Sequence, residues 1–381
     1  MTNIFFASKK IQVPLGEGGG ETIIYDLLCE VNRRKGVVVK GMGSFNYLQV
    51  DALNDALKKM QCDLACDQQL TEVTRLKGGK FVFPKFAHLI YDIPGAFTFT
   101  LAREDHYFIS LSEYLRQFSA EAILLQAEGS LQAWDHIRKC GLKAQTWFYV
   151  QNGYELQQFQ SCKIHPPRLL SNSSFVQAKV KGQTGWDSEL LYPAIDIERY
   201  RPVGIEKKVR ERFTVLMINP HVNKGLHLVL QLAETLKHID FLLLEGWNSF
   251  DNSLVQHAHQ RGNITLLNKT WNMAEIYAMA DLLIVPSQWE EAFGRVVVEA
   301  HAAGLPTLAS HVGGLPEAGG EAGFTLVDFQ NPQAWETELR RLSEDRSRLH
   351  SKDHLFESNA KRFTAQTAAD RFLEILNLTP V

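Results

Sequence analysis

The chain has 381 residues, and at roughly 150 residues per domain this length predicts two or three domains. Its 40 basic and 43 acidic residues give a formal net charge of −3. This balance excludes a protein that holds nucleic acid by bulk charge, because phosphate contacts need a surplus of Lys and Arg. With 45% hydrophobic residues, 26 Gly and 13 Pro, the composition also excludes the disordered and fibrous classes.

The cysteines and the apolar runs indicate in which cellular compartment the protein is expected. Five cysteines without CxxC spacing predict free thiols rather than a disulfide framework; they are Cys29, Cys62, Cys66, Cys140 and Cys162. No apolar run approaches the ~20 residues that span a bilayer, and the segment Asn3–Ser8 (NIFFAS) is too short for the apolar region of a signal peptide. We therefore expect a cytoplasmic location, and the sequence leaves open a peripheral contact at the inner membrane face.

The first half of the chain alternates strand with helix. Ile4–Ala7 is short and apolar, as a buried parallel strand should be. A glycine cluster, Gly16–Glu21 (GEGGGE), precedes a helix predicted over Thr22–Arg34, and Val37–Val39 is the next strand. Further strands are predicted at Phe81–Phe83, Tyr107–Ser110, Ala122–Leu125 and Thr146–Val150, and further helices at Asp51–Met60 and Leu131–Lys139.

The second half shows the same rhythm more clearly. Strands are predicted at Thr214–Ile218, Asp240–Leu244, Asn263–Leu267, Leu282–Val285 and Thr307–Ala309. Helices are predicted at Leu226–Lys237, Met273–Ala280, Gly294–Ala303, Pro332–Leu342 and Ala365–Leu376. Such alternation is typical of α/β domains with a parallel sheet and helices on both faces. The polar, proline-punctuated segment Pro193–Glu211 between the halves is the predicted linker.

The glycine cluster is a candidate anion site. Glycines between a strand and a helix let backbone N–H groups approach a phosphate, and the helix dipole adds attraction. The cluster is neither GxGxxG nor a Walker motif, so a plain turn in a doubly wound fold explains it equally well.

The most informative segment is Pro286–Pro306, PSQWEEAFGRVVVEAHAAGLP. Glu291 and Glu299 are eight residues apart in it, on either side of a helix start predicted near Gly294. Free N–H groups at that start suit a diphosphate, and carboxylates suit sugar hydroxyls because they only accept hydrogen bonds. Two glutamates at this spacing are common by chance, so the surrounding pattern decides the interpretation.

That pattern, PSxxxExFGxxxxEA followed by AxGLP, resembles the signature of retaining glycosyltransferases of family four (glycosyl transferases group 1), which have the GT-B fold. Three further segments of the second half are similar to family motifs: Asn219–Gly225 (NPHVNKG), Tyr277–Pro286 (YAMADLLIVP) and His311–Glu317 (HVGGLPE). In the first half the similar segments are Gly18–Glu21, Leu170–Phe175 and Pro193–Tyr200, whereas 51–145 matches little.

The resemblance implies an architecture. Two Rossmann-like parallel-sheet domains would face each other across a cleft. The acceptor-side domain would cover residues 1–195 and the nucleotide-sugar domain residues 205–361, with a C-terminal helix within 362–381 packing back on the first domain.

The resemblance also implies roles in the second domain. Glu299 matches the glutamate that binds the nucleotide ribose, and Glu291 matches the one that holds hydroxyls of the donor sugar. Phe293 and Gly294 match the backbone that approaches sugar and phosphate. Lys224 matches the lysine that neutralises the diphosphate, a role that stabilises the charge developing on the leaving group.

In the first domain, Gly19 and Gly20 match the loop that faces the diphosphate. Gln151 and Asn152 stand where the family usually has a histidine, on the acceptor or sugar side. These amides can hydrogen-bond a sugar hydroxyl but cannot serve as a titrating base.

Two further departures from the family pattern concern the second domain. Asn219 stands five residues before Lys224, where the family usually has an arginine. The sequence therefore lacks one phosphate cation, unless Arg295 or another residue replaces it. Ala292 stands where proline is common, which we expect to be harmless.

The expected activity is transfer of a sugar from a nucleotide-diphosphate sugar to an acceptor hydroxyl with retention, in polysaccharide, glycolipid or glycoconjugate biosynthesis. The sequence has no DxD pair to hold a metal on the diphosphate, so we expect metal-independent transfer without a cofactor. The acceptor, whether a carbohydrate, a lipid-linked compound or a small molecule, stays open. The alternatives are a non-catalytic sugar-nucleotide-binding or scaffold protein, and a GT-B nucleotide-sugar epimerase.

Overall fold

The computed structural model describes residues 1–9, 19–45, 64–66, 74–75, 81–82, 88–92, 97–126, 129–153, 156, 159, 168–205, 211–246, 250, 254, 258 and 260–377. The chain divides into two compact units. The first comprises Met1–Asn172, Val176–Ala194 and Ala365–Val381, and the second Ser173–Phe175 and Ile195–Thr364. The sequence gives no sign that Ser173–Phe175 belongs to the second unit.

The first unit is built on a nine-stranded sheet with the strand order β11-β10-β9-β8-β1-β2-β7-β6-β3. All its strand pairs are parallel except those of β6 with β7 and β3. Its strands, with the separate pair β4 and β5, are β1 (Thr2–Ala7), β2 (Val37–Phe45), β3 (Leu64–Cys66), β4 (Thr74–Arg75), β5 (Phe81–Val82), β6 (His88–Asp92), β7 (Thr98–Arg103), β8 (Ala122–Leu125), β9 (Gln145–Val150), β10 (Arg168–Ser171) and β11 (Glu189–Leu190). Its helices are α1 (Gly19–Asn32), α2 (Tyr107–Phe118), α3 (Ser130–Lys139), α4 (Ser174–Thr184) and, at the end of the chain, α12 (Ala365–Ile375).

The core of the first unit lies between the sheet and its helices. Helix α1 buries one apolar face and contacts β2, with Ile24, Leu28 and Val31 at helical spacing. Helix α12 packs beside α1 and adds Phe372 and Leu373 to the same core. The C-terminal helix is therefore part of the first unit rather than a tail of the second.

The strand predicted at Tyr107–Ser110 is wrong, because these residues begin helix α2. The short run YFIS is apolar enough to suggest a buried strand. In the structure Tyr107, Leu111 and Leu115 are buried at helical spacing, whereas Ile109 is 56% exposed. The helical period that continues beyond Ser110 outweighs the local apolar run.

Most other elements predicted for the first half are confirmed, and two predictions fall wholly or partly outside the described residues. The strands at Ile4–Ala7, Ala122–Leu125 and Thr146–Val150 and the helices at Thr22–Arg34 and Leu131–Lys139 are confirmed within about three residues. The strand predicted at Val37–Val39 is also present, but it continues to Phe45. The helix predicted at Asp51–Met60 lies outside the described residues, as does Phe83. Phe81 and Val82 form β5, which pairs only with β4 among the described strands.

The second unit has a six-stranded parallel sheet with the order β14-β13-β12-β15-β16-β17. Its strands are β12 (Phe213–Ile218), β13 (Ile239–Leu244), β14 (Ile264–Leu267), β15 (Leu282–Val285), β16 (Thr307–Ser310) and β17 (Phe324–Leu326). Its helices are α5 (Leu226–Thr235), α6 (Met273–Ala278), α7 (Arg295–Ala302), α8 (Leu315–Gly319), α9 (Pro332–Glu344), α10 (Arg346–Leu349) and α11 (Asp353–Lys361). All predicted strands and helices of this half are confirmed within about three residues.

Each sheet reverses its strand order at one point, and open α/β sheets bind ligands at the carboxyl ends of the strands there. In the first unit the reversal lies between β1 and β8. In the second unit it lies between β12 and β15, so the loops that carry Lys224 and Glu291 leave the sheet side by side. The fold thus brings together two motifs that are 67 residues apart in sequence.

No helix in the described part of the chain is long and apolar enough to cross a membrane.

The contact between these two loops requires glycine at position 225. Gly225 has a φ of +88°, and a Cβ built there would overlap the carbonyl oxygen of Pro286. We expect Gly225→Ala to lower the free energy of unfolding of the second unit by roughly 2 kcal/mol or more, because left-handed strain and a backbone shift add together. Chemical denaturation followed by circular dichroism measures this change.

The matched control is Gly304→Ala, since Gly304 has a φ of +67° but no atom within 4 Å of the built Cβ. In Gly304→Ala the free energy of unfolding should fall only by the cost of the left-handed backbone conformation. Equal losses in the two variants would show that the loop contact is not tight.

Candidate active site

The loop after β12 begins at Asn219 in a left-handed conformation, with a φ of 56°. Its backbone N–H donates to the carbonyl of Leu244 at 2.9 Å, and its side chain packs so closely on Gly246 that a Cβ there would overlap it. Asparagine is one of the few residues other than glycine that favour this backbone region. The local geometry therefore suits a short amide better than the long arginine of the family pattern.

Lys224 and Glu291, the two predicted catalytic residues, form an ion pair. The Nζ of Lys224 lies 2.5 Å from Oε1 of Glu291, and the two side chains are 20% and 11% exposed. Lys224 ends a short 3-10 turn (Val222–Lys224), while Glu291 lies in the loop between β15 and α7. The pair is shielded enough to be well ordered and open enough to meet a ligand.

Two more side chains donate to the same oxygen of Glu291. Ser287 Oγ lies 2.7 Å from Oε1 and Trp289 Nε1 lies 3.0 Å from it. The Trp289 ring also lies under the Lys224 ammonium, with Nζ 5.6 Å from the ring centroid. Because the hydrogen bonds described for this carboxylate converge on Oε1, Oε2 is the oxygen available to a ligand hydroxyl.

Trp289 contacts both members of the ion pair, a role that its place in the motif does not reveal. Phenylalanine at this position would keep an aromatic face near Lys224 and lose the N–H bond to Glu291. We expect Trp289→Phe to lower turnover of a nucleotide sugar about tenfold, the effect of one hydrogen bond to a charged group. Affinity for the free nucleoside diphosphate should change less than turnover, because Lys224 keeps its ring contact.

Steady-state kinetics and calorimetric titration of the Trp289→Phe variant measure the two quantities. Trp271→Phe is the control, since Trp271 is 71% exposed in the same unit. Wild-type turnover in Trp289→Phe would contradict a role of the indole N–H.

The backbone of the Glu291 loop is fixed from two sides. Gly314 donates its N–H to the carbonyl of Glu291 at 2.8 Å, and Ser173 Oγ donates to the carbonyl of Ala292 at 2.5 Å. A Cβ on Gly313 would overlap the Glu291 backbone. These contacts leave the loop little freedom, which is what a site that positions a ligand requires.

The predicted Phe293–Gly294 segment leads directly into helix α7. Phe293 is buried and packs edge-on against Phe363, with 5.0 Å between ring centroids. Gly294 has a φ of +101°, and a Cβ there would overlap the side chain of Leu315. Helix α7 then begins at Arg295, so its N-terminal N–H groups lie beside the loop that holds Glu291.

Glu299 lies on α7, where it is buried and bonded to two polar side chains. Its Oε1 accepts from Arg295 Nε at 2.5 Å and its Oε2 from Tyr277 Oη at 2.8 Å. Burial, together with the Glu299 charge, raises the pKa of Tyr277 well above its usual value. Tyr277 therefore stays a neutral donor, and each Glu299 oxygen keeps a second lone pair for a ribose hydroxyl.

Arg295 is engaged with this network. Besides Glu299, its Nη2 donates to Tyr200 Oη at 2.9 Å, and its side chain is 9% exposed. Because the guanidinium is held by Glu299 and Tyr200, it does not stand open towards a phosphate in this structure. The phosphate contact suggested for Arg295 stays a prediction.

In the first unit, the predicted residues gather at the point where the strand order reverses. Gly19 and Gly20 are the first residues of α1, while Gln151 follows β9 and is 8% exposed. Asn152, the next residue, is exposed. A Cβ on Gly20 would lie 2.6 Å from Gln151 Oε1, so glycine at this position lets the helix start approach the amide.

Gln126, which the sequence did not predict as a site residue, contacts both Gln151 and Gly20. It follows β8 directly, and its Nε2 donates to Gln151 Oε1 at 2.5 Å and to the Gly20 carbonyl at 3.3 Å. Asn172, directly after β10, donates from Nδ2 to the Gln151 carbonyl at 3.1 Å. The signal that could have found both residues is their place one step beyond the end of a buried strand.

Within the described part of the chain, no three His, Cys, Asp or Glu side chains group in a way that could hold a metal ion.

Residues 203–363 match the model of the glycosyl transferases group 1 family. Spore coat protein SA of Bacillus subtilis (strain 168) is 33% identical over 209 residues, which are 46% of this chain and 54% of that protein. D-inositol 3-phosphate glycosyltransferase of Segniliparus rotundus is 38% identical over 102 residues, 26% of this chain and 22% of that protein. The chain thus spans about half the length of the first relative and less of the second.

Solved structures are similar over the whole chain. The Anabaena protein HepE, solved in complex with UDP and glucose, has a TM-score of 0.72 at 15% identity, and the match covers 100% of each chain. Sucrose-phosphate synthase from Thermosynechococcus elongatus has a TM-score of 0.71 at 15% identity, covering 99% of this chain and 98% of that one. At such identities the likeness shows the fold. Residues 203–363, which lie in the second unit, are thus similar to the glycosyl transferases group 1 model, and the chain has the GT-B fold.

Proposed function

We propose that this chain transfers a sugar from a nucleotide-diphosphate sugar to an acceptor hydroxyl with retention of the anomeric configuration. The observation that carries the proposal is the Lys224–Glu291 ion pair at the strand-order reversal of the second unit. Parallel sheets bind ligands at this edge, and the surrounding domain matches the glycosyl transferases group 1 model.

Each side chain of the pair has a distinct task in donor binding. The Lys224 ammonium neutralises the diphosphate, and Glu291 Oε2 accepts a hydroxyl of the donor sugar. Glu299 accepts ribose hydroxyls beside its bonds to the protein. The backbone at Phe293 and Gly294 approaches the sugar and the phosphate, and the missing Cβ of Gly294 lets the side chain of Leu315 pack against that backbone.

Retention follows from attack on the same face of the sugar. The acceptor oxygen bonds to the anomeric carbon as the bond to the leaving phosphate breaks, and the acceptor proton passes to that phosphate. A covalent route would need a free carboxylate beneath the anomeric carbon. Glu291 is held by Lys224, Ser287 and Trp289, which favours a sugar-positioning role over that of a nucleophile.

We propose that transfer needs neither a metal ion nor a cofactor. Lys224 and the N-terminal N–H groups of α7 supply positive potential where the leaving diphosphate develops charge. Asn219 contributes no charge there, so the reaction depends strongly on Lys224.

The proposed acceptor is a hydroxyl compound: a carbohydrate, a lipid-linked compound or a small molecule in glycoconjugate biosynthesis. The similarity to a D-inositol 3-phosphate glycosyltransferase and to HepE, which was solved with UDP and glucose, supports this class. Nucleic acid is not an expected partner. The basic cluster at the end of α1 gives a membrane contact no support, since Arg33 and Arg34 pair with Glu30 and Arg34 also pairs with Asp370.

Thermal unfolding in the presence of UDP-, GDP- and dTDP-sugars tests the donor proposal. A ligand at 100 times its dissociation constant adds about 2.7 kcal/mol of stability, so one nucleotide series should raise the unfolding midpoint by several degrees. No shift with any of the three series would contradict the proposal. A shift without release of the nucleoside diphosphate would favour the non-catalytic alternative.

A further inference from the structure

Three amide side chains stand next to one another at the carboxyl edge of the first unit's sheet. Gln126 follows β8, Gln151 follows β9 and Asn172 follows β10, and these three strands are neighbours in the sheet. The edge lies beside the strand-order reversal between β8 and β1. All three amides are buried, at 4%, 8% and 3% exposure.

The hydrogen bonds among these side chains use their N–H groups. Gln126 Nε2 donates to Gln151 Oε1 and to the Gly20 carbonyl, and Asn172 Nδ2 donates to the Gln151 carbonyl. The carbonyl oxygens Gln126 Oε1 and Asn172 Oδ1 are buried and have no hydrogen-bond partner among the residues that the structure describes. Two buried amide acceptors therefore remain unsatisfied on the same side-chain cluster.

Exchanging the oxygen and nitrogen of either amide does not remove this feature. A flipped Gln126 would place its oxygen against the Gly20 carbonyl, and a flipped Asn172 would place its oxygen against the Gln151 carbonyl. Both exchanges bring two acceptors together, so the hydrogen-bond network fixes the orientation. A buried acceptor without a donor is unfavourable, and a donor supplied by a ligand removes that penalty.

We propose that Gln126 Oε1 and Asn172 Oδ1 form a subsite that accepts hydrogen bonds from uncharged sugar hydroxyls. Amide oxygens repel anions, and the cluster itself has no carboxylate to balance an ammonium group. A hydroxyl supplies one donor without a charge to bury. This inference rests on the proposed function and extends it, because it assigns the recognition of a sugar to Gln126 and Asn172.

Saturation-transfer NMR with free monosaccharides tests the subsite without depending on turnover. The full chain is mixed with glucose, galactose, mannose or N-acetylglucosamine, with and without UDP. The variants are Gln126→Met and Asn172→Leu, which keep side-chain volume and remove the acceptors. The control is Gln177→Met, which removes an amide that donates to the Ser188 carbonyl at 2.5 Å elsewhere in the first unit.

We expect at least one monosaccharide to bind the wild type and the control, and to bind each variant about tenfold more weakly. A monodeoxy form of that sugar, lacking the bound hydroxyl, should show no difference between wild type and variant. UDP affinity should differ little among the four proteins, because Lys224 and Glu299, the side chains proposed to hold the nucleotide, lie in the second unit.

The proposal is overturned if no monosaccharide shows binding that depends on Gln126 or Asn172, or if every deoxy sugar shows the same loss as its parent. The second result would assign both amides a purely structural role. If one variant fails to fold, the other still decides between these results. Failure of the proposed function has a different signature, namely absence of nucleotide-sugar binding in the wild type.

Discussion

Replacing Glu291 with glutamine is expected to lower turnover of the nucleotide sugar about 100-fold or more while the chain stays folded. The carboxylate oxygen Oε1 accepts from Lys224, Ser287 and Trp289, and its negative charge balances the Lys224 ammonium. A neutral amide cannot balance that charge. Its nitrogen would stand where the carboxylate offers an acceptor to the sugar hydroxyl, so the donor would lose its orientation as well as one hydrogen bond.

Glu290→Gln is the matched control, because it makes the same chemical change at the adjacent, exposed position. Steady-state kinetics should show the loss in Glu291→Gln alone, and Glu291→Ala should lose at least as much. Near-normal turnover in both Glu291 variants, with an unchanged circular dichroism spectrum, would remove Glu291 from the site.

Replacing Lys224 with methionine is expected to weaken binding of the nucleoside diphosphate about 10- to 100-fold, with at least an equal loss in turnover. Methionine keeps most of the length of the side chain and its contact with the Trp289 ring, but it removes the charge that faces the diphosphate. The loss should be large because Asn219 adds no second cation in the same loop. Calorimetric titration of UDP, GDP and dTDP measures the affinity.

Lys237→Met is the control for Lys224→Met, since Lys237 is exposed near the end of α5. A nucleotide affinity unchanged in Lys224→Met would mean that the diphosphate does not meet this lysine. The balance between losses in binding and in turnover also separates two roles. If only turnover falls, Lys224 stabilises the negative charge of the transition state and contributes little to binding of the substrate.

The second unit was largely predictable from sequence for a physical reason. Its strands are fully buried in a parallel sheet, so they appear as continuous apolar runs such as Leu282–Val285, closed by Pro286. Gly225 and Gly294 mark the helix starts, and both have positive φ angles. The signature segment Pro286–Pro306 therefore gave the place of Glu291 and Glu299 correctly relative to strand and helix.

The partners of the site residues were not predictable in the same way. Ser287 and Trp289 lie in the motif, but only the path of the loop shows that both donate to Glu291. Tyr277 and Glu299 lie on different helices, α6 and α7, and meet through tertiary packing. Hydrogen bonds between distant segments produce no periodic pattern in a sequence, so the network that holds Arg295 could not be predicted.

The first unit shows a second limit of sequence reasoning. Gln126 and Asn172 are single polar residues after buried strands, and many such residues are simple turn residues. Their significance depends on which strands are neighbours, and the order β10-β9-β8-β1 is set by the crossover connections. The wrong strand at Tyr107–Ser110 has a related cause, because a largely apolar run of four residues does not distinguish a helix from a strand.

The most direct test of the proposed activity is proton NMR of the reaction with UDP-, GDP- and dTDP-linked sugars, followed from the first minutes. We predict that one donor series is consumed, that its nucleoside diphosphate is released without added metal and in the presence of a chelator, and that the first product has the anomeric coupling of the donor. When water is the acceptor, the anomeric configuration of the released sugar must be recorded early, because mutarotation soon mixes the two anomers. An initial product of inverted configuration, or binding of every series without release of a nucleoside diphosphate, would contradict retaining glycosyl transfer.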